Sequence, residues 1–576
     1  MRQDFGAGTA GTTIGQGPTN VFVLAGKGHN AADALWAAAE ILRLAGCFRK
    51  TPPDNFEERL PSPFRPSYSP DNLGTGLVSG GLVSPSQARP FRPSNPVDDS
   101  ENNFGKTNCD VAGEHTGAEA GVGVGVGVGT GAKTQAGALA KSVTVLLATP
   151  PEQLSPAAAQ ALAQLAAKGA RVRVWASAAE ADALLAEIGG SADVLLDGLL
   201  GYNFRPPLRP PFDEIIRWAN AHGAAFAVKV AVDLPSGIGD FFASVFHADA
   251  TVACGILKTP LLEPCNAEAR GRLRYADIGF PASPASQSGA RRVANAAVLE
   301  HGSLRRLRPP LADKRDFGHL FVLGGSRSMP GALLMNVRAA LRSGVGLLTA
   351  FCPESVAAAF AAVAPEAMWV PWPETPSGGL ALEGMFLLRE KLPRATALLC
   401  GSGAGAEPET LALLADIAAN TPCPLVLDAD ALRPEIAAAA TSRPAALPTL
   451  LLPHAGELAR VAPEASAEVA AGAVSPETLR GLCQRLRACV ALKGAPTRVA
   501  DASCEVVVCA GGPVLARGGS GDLLAGIAGA LLARRFSADP LRTLVAAVAW
   551  HGAAADKLAR RRGAEAVATT DILSHL

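Results

Sequence analysis

Short apolar runs that end in a glycine or aspartate turn alternate with helical segments along most of this chain. Examples are VFVLAG from Val21, VTVLLA from Val143, DVLLDG from Asp193 and PLVLDAD from Pro424. Strands that alternate with helices in this way are typical of parallel sheets with helices on both faces. The pattern therefore predicts an α/β protein whose ligands bind beyond the carboxyl ends of the strands.

Chain length and one low-complexity stretch set the expected domain organisation. A chain of 576 residues is too long for one hydrophobic core, which favours two domains. Residues 48–140 are rich in Pro, Ser, Asn and Gly and include GVGVGVGVG, a composition that cannot offset the entropy of an ordered chain. We therefore expect a first domain at 1–280 with a disordered insertion at about 48–140, a linker at 281–310 and a second domain at 311–576.

The composition favours a small-molecule partner. Lys plus Arg and Asp plus Glu are equal at 52 each, so the chain has no electrostatic footprint for nucleic acid or an anionic membrane. The 11 cysteines form no CxxC pair and no cluster with zinc spacing, which favours reduced thiols. No apolar run approaches the roughly 20 residues that span a bilayer, and the first residues lack the layout of a signal peptide. We therefore expect a cytoplasmic protein.

The stretch ARGGSGDLLAGIAGALLARR predicts a glycine loop at the start of a helix. Gly518, Gly519 and Gly521 leave backbone N–H groups free at the positive end of the helix dipole, which suits an anion such as a phosphoryl group. Asp522 lies in the first turn, where its carboxylate could take a proton from a substrate hydroxyl beside the phosphate. The alternative role for Asp522 is that of a capping residue on a glycine-bounded helix.

Two neighbouring turns carry polar residues of the same kind. In LKGAPT, Lys493 and Thr497 flank a glycine turn between two predicted strands, a suitable grip for the phosphates of a nucleotide. In PHAGE, His454 ends a predicted strand. This histidine is either a hydrogen-bonded structural residue or a functional one, and its position alone does not decide between the two roles.

Residues 311–576 resemble the carbohydrate-kinase-like domain of NAD(P)H-hydrate dehydratases, which has a ribokinase-like α/β fold. The matching segments occur in family order: KRDFGHLFVLGGS, GSGAG, LDADAL, LLPHAGE, LKGAPT, GGSGDLLAGI, HGAAAD and TTDIL. The resemblance implies that ADP, with Mg²⁺, phosphorylates the hydroxyl of the hydrated nicotinamide ring. Loss of phosphate then restores NADH or NADPH and leaves AMP.

The resemblance also implies roles for individual residues of this domain. Asp522 matches the catalytic base, and Ala332, Gly403 and His454 match positions that, together with Asp522, contact the hydrate. The implied nucleotide-binding residues are Lys493, Gly494, Ala495, Pro496, Thr497, Gly518, Gly519, Ser520 and Gly521. Arg517 replaces a usual threonine, and its guanidinium either strengthens anion binding or faces solvent.

Residues 21–280 resemble the NAD(P)H-hydrate epimerase domain that is commonly fused to that dehydratase. The resemblance is carried by GKGHNAAD, DGLLG, VDLPSG and ADATVACGILKTP. It implies a Rossmann-like three-layer sandwich that interconverts the two epimers of the hydrate, and it favours a homo-oligomer. It also implies that Asn30, Asp197 and Ser236 hold a potassium ion, because oxygen ligands suit a hard cation.

The substrate contacts of this first domain follow from the same resemblance. Asp233 matches the acidic residue beside the nicotinamide ring, a second catalytic group. The other implied substrate contacts are Asn30, Asp33 and the loop at 201–207, which begins with Gly201.

The phosphate turn of the first domain departs from the family pattern. Ala31, Ala32 and Ala34 stand where the family has glycines that approach a pyrophosphate closely or adopt a positive φ. Each added Cβ is expected to cause a clash with the ligand or backbone strain of about 1 kcal/mol or more, which predicts an epimerase at least about tenfold slower than a complete homologue. The alternative is an inactive first domain that serves as a binding or oligomerisation module.

A different ribokinase-like enzyme, such as a kinase for a vitamin precursor, would share the glycine loop and Asp522. It would not account for PHAGE, LKGAPT and an epimerase-like neighbour in one chain. The combination of motifs therefore favours nicotinamide cofactor repair over this kinase.

Overall fold

The computed structural model describes residues 20–47, 142–201, 207–239, 244–278, 292–294, 308 and 311–576. The predicted insertion at about 48–140 lies outside the described residues, as does most of the predicted linker. Within the described ranges, no helix is both long enough and apolar enough to cross a membrane.

The first half of the chain contains seven described strands. They are β1 (Val21–Ala25), β2 (Val143–Leu147), β3 (Arg171–Val174), β4 (Ala192–Gly198), β5 (Phe226–Val232), β6 (Ala250–Cys254) and β7 (Arg272–Ala276). All are parallel and pair in the order β3-β2-β1-β4-β5-β6-β7. The strand order reverses between β1 and β4, and a reversal of this kind opens a crevice for a ligand at the carboxyl ends of the strands.

Helices cover both faces of this first sheet. They are α1 (His29–Cys47), α2 (Pro156–Ala167), α3 (Ala178–Glu187) and α4 (Phe212–Ala221), followed by the single turn α5 (Ala267–Arg270). Along β1, Val21 and Val23 pack with α1 and α2, whereas Phe22 and Leu24 pack with α3 and α4. This alternation follows from the two-residue period of a strand. The three-layer α/β sandwich predicted for this half is confirmed.

The alanines of the phosphate turn do not carry the strain expected from the sequence. Ala31, Ala32 and Ala34 lie inside α1, are buried and belong to the apolar core against the first sheet. None of them has a positive φ. Ala34 lies so close to Gly198 that a Cβ on that glycine would come within 2.5 Å of the alanine Cβ. The expectation of backbone strain is therefore wrong, because the alanines are ordinary residues of a helix.

The second half of the chain contains ten described strands, one of which comes from the predicted linker. They are β8 (Arg292–Ala294), β9 (His319–Leu323), β10 (Leu347–Pro353), β11 (Met368–Trp372), β12 (Ala397–Cys400), β13 (Leu425–Leu427), β14 (Thr449–Leu451), β15 (Cys489–Leu492), β16 (Thr497–Ala500) and β17 (Glu505–Val508). Their order is β11-β10-β9-β12-β13-β14-β15-β16-β17-β8. Only β16 is antiparallel to its neighbours among these described strands.

Strand β8 lies inside the segment that was predicted to be a linker. It pairs in parallel with β17 and so extends the second sheet. Part of the predicted linker is therefore a strand of the second sheet. The Pro- and Ser-rich composition of the surrounding segment did not indicate this strand.

The helices of the second half also lie on both faces of their sheet. They are α6 (Pro330–Arg342), α7 (Glu354–Val363), α8 (Met385–Lys391), α9 (Pro408–Asn420), α10 (Pro434–Ala439), α11 (Ala455–Val461), α12 (Ser466–Ala470), α13 (Pro476–Leu486), α14 (Ser520–Ala533) and α15 (Pro540–Arg562). Leu320 and Val322 of β9 pack into one core, whereas Phe321 and Leu323 pack into the other. The predicted α/β fold class is thus confirmed for this half as well.

Helix α14 is the central helix of the second domain. It contacts α6 and α15, and it is buried along almost its whole length. At Gly526 a Cβ would come within 2.3 Å of the backbone oxygen of Asn336, so only glycine permits this close crossing of α14 and α6. The small residues in DLLAGIAGALLA therefore fix the position of the helix start that carries Asp522.

Candidate functional site

Several strands of the second sheet end at one cavity, as the sequence predicted. The carboxyl ends of β13, β14 and β15 lead into Asp428, His454 and Lys493, and the start of α14 faces them. The cavity has a volume of about 520 Å³. Nine of the predicted site residues line it: His454, Lys493, Gly494, Ala495, Thr497, Gly519, Ser520, Gly521 and Asp522.

The backbone at the start of α14 matches the predicted anion site. Gly519 is the residue before the helix and has φ +83°, a left-handed conformation that favours glycine. The first N–H groups of a helix have no partner within the helix, so the amides of Gly521 and Asp522 are placed at its positive end. A Cβ on Gly521 would lie 3.2 Å from the Nζ atom of Lys493, which puts the ammonium group beside this helix start.

Lys493 is held between two carboxylates. Its Nζ atom lies 3.1 Å from Oδ1 of Asp428 and 3.4 Å from Oε2 of Glu457. Burial lowers the pKa of Lys493, but the two carboxylates outweigh burial and raise it. Lys493 therefore stays charged in the cavity wall and provides a fixed positive charge next to the glycine loop.

The surroundings of Asp522 shift the pKa of its carboxyl group towards neutrality. Burial and the charge of Asp428 raise its pKa to about 7, against the lowering effects of Lys493 and the hydroxyl of Ser402. The side chain amide of Asn336 donates a 2.7 Å hydrogen bond to the backbone oxygen of Asp522 and so fixes this turn of the helix. A carboxyl group with a pKa near neutrality can accept a proton efficiently at neutral pH.

His454 has a structural role, which is one of the two roles that the sequence left open. Its Nδ1 atom accepts a 3.0 Å hydrogen bond from the amide of Gly456 at the start of α11, and its own amide donates to Glu457. His454 also pairs with Lys493 in an isolated parallel bridge and lines the cavity. The capping bonds therefore orient the imidazole at the cavity wall.

Four predicted residues lie away from the walls of this cavity. Gly403 has φ +66°, and a Cβ there would come within 2.9 Å of the Cβ of Ala332, so these two residues contact each other at the ends of β12 and α6. Pro496 faces a neighbouring cavity instead. The backbone oxygen of Gly518 accepts a 2.7 Å hydrogen bond from the hydroxyl of Thr569, which anchors the glycine loop from outside.

The sequence reasoning missed three residues of this site. Asp428 and Glu457 hold Lys493, and the buried His551 lines the same cavity. Burial and Lys493 lower the pKa of His551 to about 4, so its ring is neutral at physiological pH. Asp428 could have been found, because it directly follows a buried strand, as other residues of the site do.

Three of the predicted residues of the first domain line a second cavity of about 480 Å³, whereas Asp197, Gly201 and Ser236 do not. Asn30, Asp33 and Asp233 contribute to its wall together with Lys258. Asp233 has φ +71° and forms an ion pair with Lys258, and it accepts a 3.1 Å hydrogen bond from the amide of Cys254. Burial and the charge of Asp233 raise the pKa of Asp33. None of the three alanines of α1 lines this cavity.

The three residues predicted to hold potassium are linked through one backbone segment. Asn30 donates hydrogen bonds to the backbone oxygens of Leu200 and Val232, at 2.9 and 3.0 Å. The amide of Leu200 donates to the hydroxyl of Ser236, which donates to Asp197 at 2.6 Å. Asn30, Asp197 and Ser236 therefore lie together at the ends of β4 and β5.

The loop predicted at 201–207 is described only at its two ends. A Cβ on Gly201 would come within 2.8 Å of Oδ1 of Asn30, so this glycine permits close packing against the amide. Residues 202–206 lie outside the described part of the chain.

The two sheets and their cavities define a two-domain α/β protein with a glycine loop at the start of a buried helix in the second domain. The family described as NAD(P)H-hydrate dehydratase matches residues 320–576, and the family described as YjeF-related protein N-terminus matches residues 121–260. The second match does not include Asn30 or Asp33.

Curated relatives cover both domains. The bifunctional NAD(P)H-hydrate repair enzyme Nnr of Moorella thermoacetica is 32% identical over 395 residues, which is 67% of this chain and 72% of the relative. The enzyme of the same name from Escherichia coli is 32% identical over 391 residues, 67% of this chain and 71% of the relative. The chain therefore belongs to the family of bifunctional NAD(P)H-hydrate repair enzymes, which confirms the resemblance seen in the sequence.

Two of the similar solved structures each match about half of this chain. A ribokinase-like superfamily protein from Enterococcus faecalis is 26% identical and has a TM-score of 0.43, over 49% of this chain and 93% of that structure. An ADP/ATP-dependent NAD(P)H-hydrate dehydratase from Bacillus subtilis, crystallised with ATP and Mg²⁺, is 26% identical and has a TM-score of 0.38, over 47% of this chain and 91% of that structure.

Proposed function

We propose that the second domain dehydrates NAD(P)H hydrate at the expense of ADP, with Asp522 as the catalytic base. One observation carries this proposal: a carboxyl group with a pKa of about 7 stands beside a buried lysine and the start of a helix in a single cavity. The helix start and the lysine suit a phosphoryl group, and the carboxyl suits proton transfer. Membership of the repair-enzyme family supplies the substrate class.

The nucleotide is proposed to bind along two loops of the cavity. The amides of Gly521 and Asp522 and the ammonium group of Lys493 would contact the transferring phosphoryl group. Residues 494–496 of the turn between β15 and β16, together with Thr497 at the start of β16, would hold the remainder of the diphosphate. Preorganised N–H groups and a fixed positive charge stabilise the charge that develops on a transferring phosphoryl group.

In the proposed reaction, Asp522 takes the proton of the hydroxyl on the hydrated ring. The hydroxyl oxygen then bonds to the β-phosphorus of ADP while the bond to the oxygen of AMP breaks. In the second stage the carbon–oxygen bond to the phosphate breaks, and the adjacent ring carbon loses a proton as the double bond re-forms. Both protons pass to solvent or to the phosphate, and the products are NADH or NADPH, inorganic phosphate, AMP and one net proton.

The residues of the cavity fit a Mg²⁺ ion that binds together with the nucleotide. Within the described residues there is no group of three or more His, Cys, Asp or Glu placed to hold a metal ion. Mg²⁺ at nucleotide sites is usually bound by phosphates, water and one or two carboxylates. Asp428 and Glu457 would supply those carboxylates, and the metal would neutralise charge on the phosphates.

For the first domain we propose exchange of the two hydrate epimers in the cavity beside Asp233. The potassium site is proposed at Asn30, Asp197 and Ser236. Asp197 is completely buried, burial raises its pKa to about 6, and its hydrogen bonds come from the neutral Ser236 and Leu199. A buried carboxylate with neutral donors and nearby backbone oxygens suits a monovalent cation.

We propose domain limits of 1–280 and 311–576, with a connection at 281–310 that contributes β8 to the second sheet. The contiguous sheets on either side of this connection support these limits. Cytoplasmic location and homo-oligomeric state stay predictions from the sequence and the family.

A time course with a mixture of both hydrate epimers tests the two proposals together. Full-length protein, Mg²⁺ and ADP are added, and recovery of the near-ultraviolet absorbance of the dihydronicotinamide ring is followed. Complete recovery, faster than spontaneous exchange of the epimers, is expected if both domains work. A fast phase that stops at the share of one epimer would contradict the epimerase proposal alone, and the absence of any recovery with ADP or ATP would contradict the dehydratase proposal.

A further inference from the structure

We propose that Arg270, Arg272 and Arg274 of the first domain position the two loops that form the nucleotide cavity of the second domain. This inference rests on the proposed function of that cavity. All three arginines lie in the final segment of the first domain, α5 and β7. The first domain would then have a part in dehydration that is independent of its own epimerase chemistry.

Arg270 holds the first of these loops. Its Nη2 atom donates a 3.0 Å hydrogen bond to the backbone oxygen of Ala495, in the turn between β15 and β16. Its Nη1 atom donates to the backbone oxygen of Leu261 in its own domain. The side chain of Arg270 is almost completely buried. The guanidinium therefore bridges the two domains and fixes a turn whose other side lines the nucleotide cavity.

Arg272 and Arg274 hold the second loop, which follows β17. Both donate hydrogen bonds of 3.1 Å to the backbone oxygen of Gly511, and Arg274 also donates a 2.8 Å bond to that of Cys509. The residues on either side of Gly511 line the nucleotide cavity. The two guanidinium groups thus bind the backbone of a loop in which Ala510 and Gly512 line the proposed nucleotide cavity.

Asp556 of α15 joins the arginines to the same loop. It forms ion pairs with Arg272 and Arg274 through Oδ1, and its Oδ2 atom accepts a 3.0 Å hydrogen bond from the amide of Gly511. The backbone of Gly511 is therefore bound at both its N–H and its oxygen. A loop held in this way by charged, largely buried partners loses little further freedom when a nucleotide binds.

Apolar contacts between the two domains accompany the arginine hydrogen bonds. Leu261 and Leu273 of the first domain pack in one buried cluster with Val507 and Cys509 of the second. Both domains belong to the same compact unit of the chain. The arginine hydrogen bonds thus lie next to a buried apolar contact. Loss of an arginine donor there would leave a buried backbone oxygen without a hydrogen-bond partner.

Affinity for ADP in the full-length protein tests this proposal without any need for turnover. For Arg270→Ala we expect the Kd for ADP by calorimetry, and the KM for ADP, to rise about tenfold, because the turn at Ala495 is no longer fixed. The KM for the hydrate should change by less than about twofold. Arg270→Lys keeps one donor and should recover most of the lost ADP affinity. Arg217→Ala, in an exposed ion pair on α4, is the matched control and should leave both constants unchanged.

An Arg270→Ala protein that is folded by its melting curve and binds ADP as tightly as the wild type would overturn the inference. An equal rise in both KM values, with no recovery in Arg270→Lys, would also overturn it, because that result indicates a general structural role. If Arg270→Ala does not fold, Arg274→Lys provides the same comparison at the second loop. A wild-type protein that binds ADP but never dehydrates the hydrate would instead contradict the proposed function, since the calorimetric result does not depend on catalysis.

Discussion

The starts of α14 and α1 occupy equivalent places at the carboxyl edges of the two sheets, but they form different kinds of surface. At α14, Gly519 and Gly521 bring bare backbone to the cavity, with Lys493 beside it. At α1, the alanines point into the core, and the cavity wall consists of side chains, among them Asn30 and Asp33. The first surface is suited to bind a phosphoryl group through amides, whereas the second depends on side chain contacts.

The carboxylates at the two sites also differ in their electrostatic surroundings. Burial and Asp428 raise the pKa of Asp522 to about 7, so its protonation changes near physiological pH. Asp233 is instead paired directly with Lys258 and accepts a backbone amide. Asp522 is thus surrounded by apolar burial and a like charge, whereas Asp233 lies against a cation and a backbone donor. The proposed proton transfer at Asp522 therefore rests on different surroundings from those of Asp233.

The largest expected effect is that of removing the proposed base. Asp522→Asn should lower kcat for dehydration by about 10³-fold, because the amide cannot accept the proton of the hydroxyl. Binding of ADP should stay close to that of the wild type. Stopped-flow absorbance and calorimetry check the two parts, with Asp416→Asn on α9, in a partly exposed ion pair with Arg389, as the matched control. An Asp522→Asn enzyme with near wild-type kcat would show that another group is the base.

The pH dependence should be the next largest effect. Asp522 must be deprotonated to accept a proton, so kcat/KM should fall about tenfold for each pH unit below the pKa of about 7. Asp428→Asn removes a negative charge that raises this pKa, and the acidic limb of the profile should therefore move to lower pH. A limb that stays in place in Asp428→Asn, or moves to higher pH, would contradict the assignment of the limb to Asp522.

A methyl group at the glycine loop should have an intermediate effect. Gly519→Ala must adopt φ +83° and place its Cβ within 2.4 Å of the Sδ atom of Met335. The strain of about 1–2 kcal/mol should raise the KM for ADP about tenfold. Gly481→Ala is the control, because it lies in α13 with no atom within 4 Å of the new Cβ. Equal KM values in the two variants would mean that the loop does not bind the nucleotide.

The smallest effect is expected for reversal of the alanines in α1. The triple change of Ala31, Ala32 and Ala34 to glycine removes methyl groups from the core and adds flexible residues to a helix. The melting temperature should therefore fall, since each glycine costs about 0.5–1 kcal/mol, whereas the rate of epimer exchange should change by less than about twofold. A much faster exchange in the triple variant would show that the alanines do obstruct the epimerase site.

The fold followed from the sequence wherever a strand and its turn were both distinct. VFVLAG and PLVLDAD predicted β1 and β13, and the glycine loop predicted the start of α14. Strand β8 could not be predicted, because three residues in a Pro- and Ser-rich segment become a strand only through pairing with β17. The backbone strain assigned to the alanines was wrong because Ala31, Ala32 and Ala34 already lie within helix α1, which begins at His29.

The sequence also predicted much of the site, but not the carboxylates that pair with Lys493. Asp522, Lys493 and His454 each stood in a recognisable motif, and the structure brings them into one cavity. Which carboxylates face Lys493 depends on the order of β13, β14 and β15 in the sheet. The roles of Asp428 and Glu457 therefore became visible only with the three-dimensional arrangement.

The most direct test of the central claim is a parallel measurement of two products in the wild-type protein supplied with NAD(P)H hydrate, Mg²⁺ and ADP. Absorbance reports the restored dihydronicotinamide ring, and chromatography of quenched samples reports AMP. We predict that the two products appear together, in equal amounts, and only when both hydrate and ADP are present. Restoration of the ring without nucleotide, or AMP formation that is independent of the hydrate, would contradict the assignment of the second domain as an ADP-dependent dehydratase.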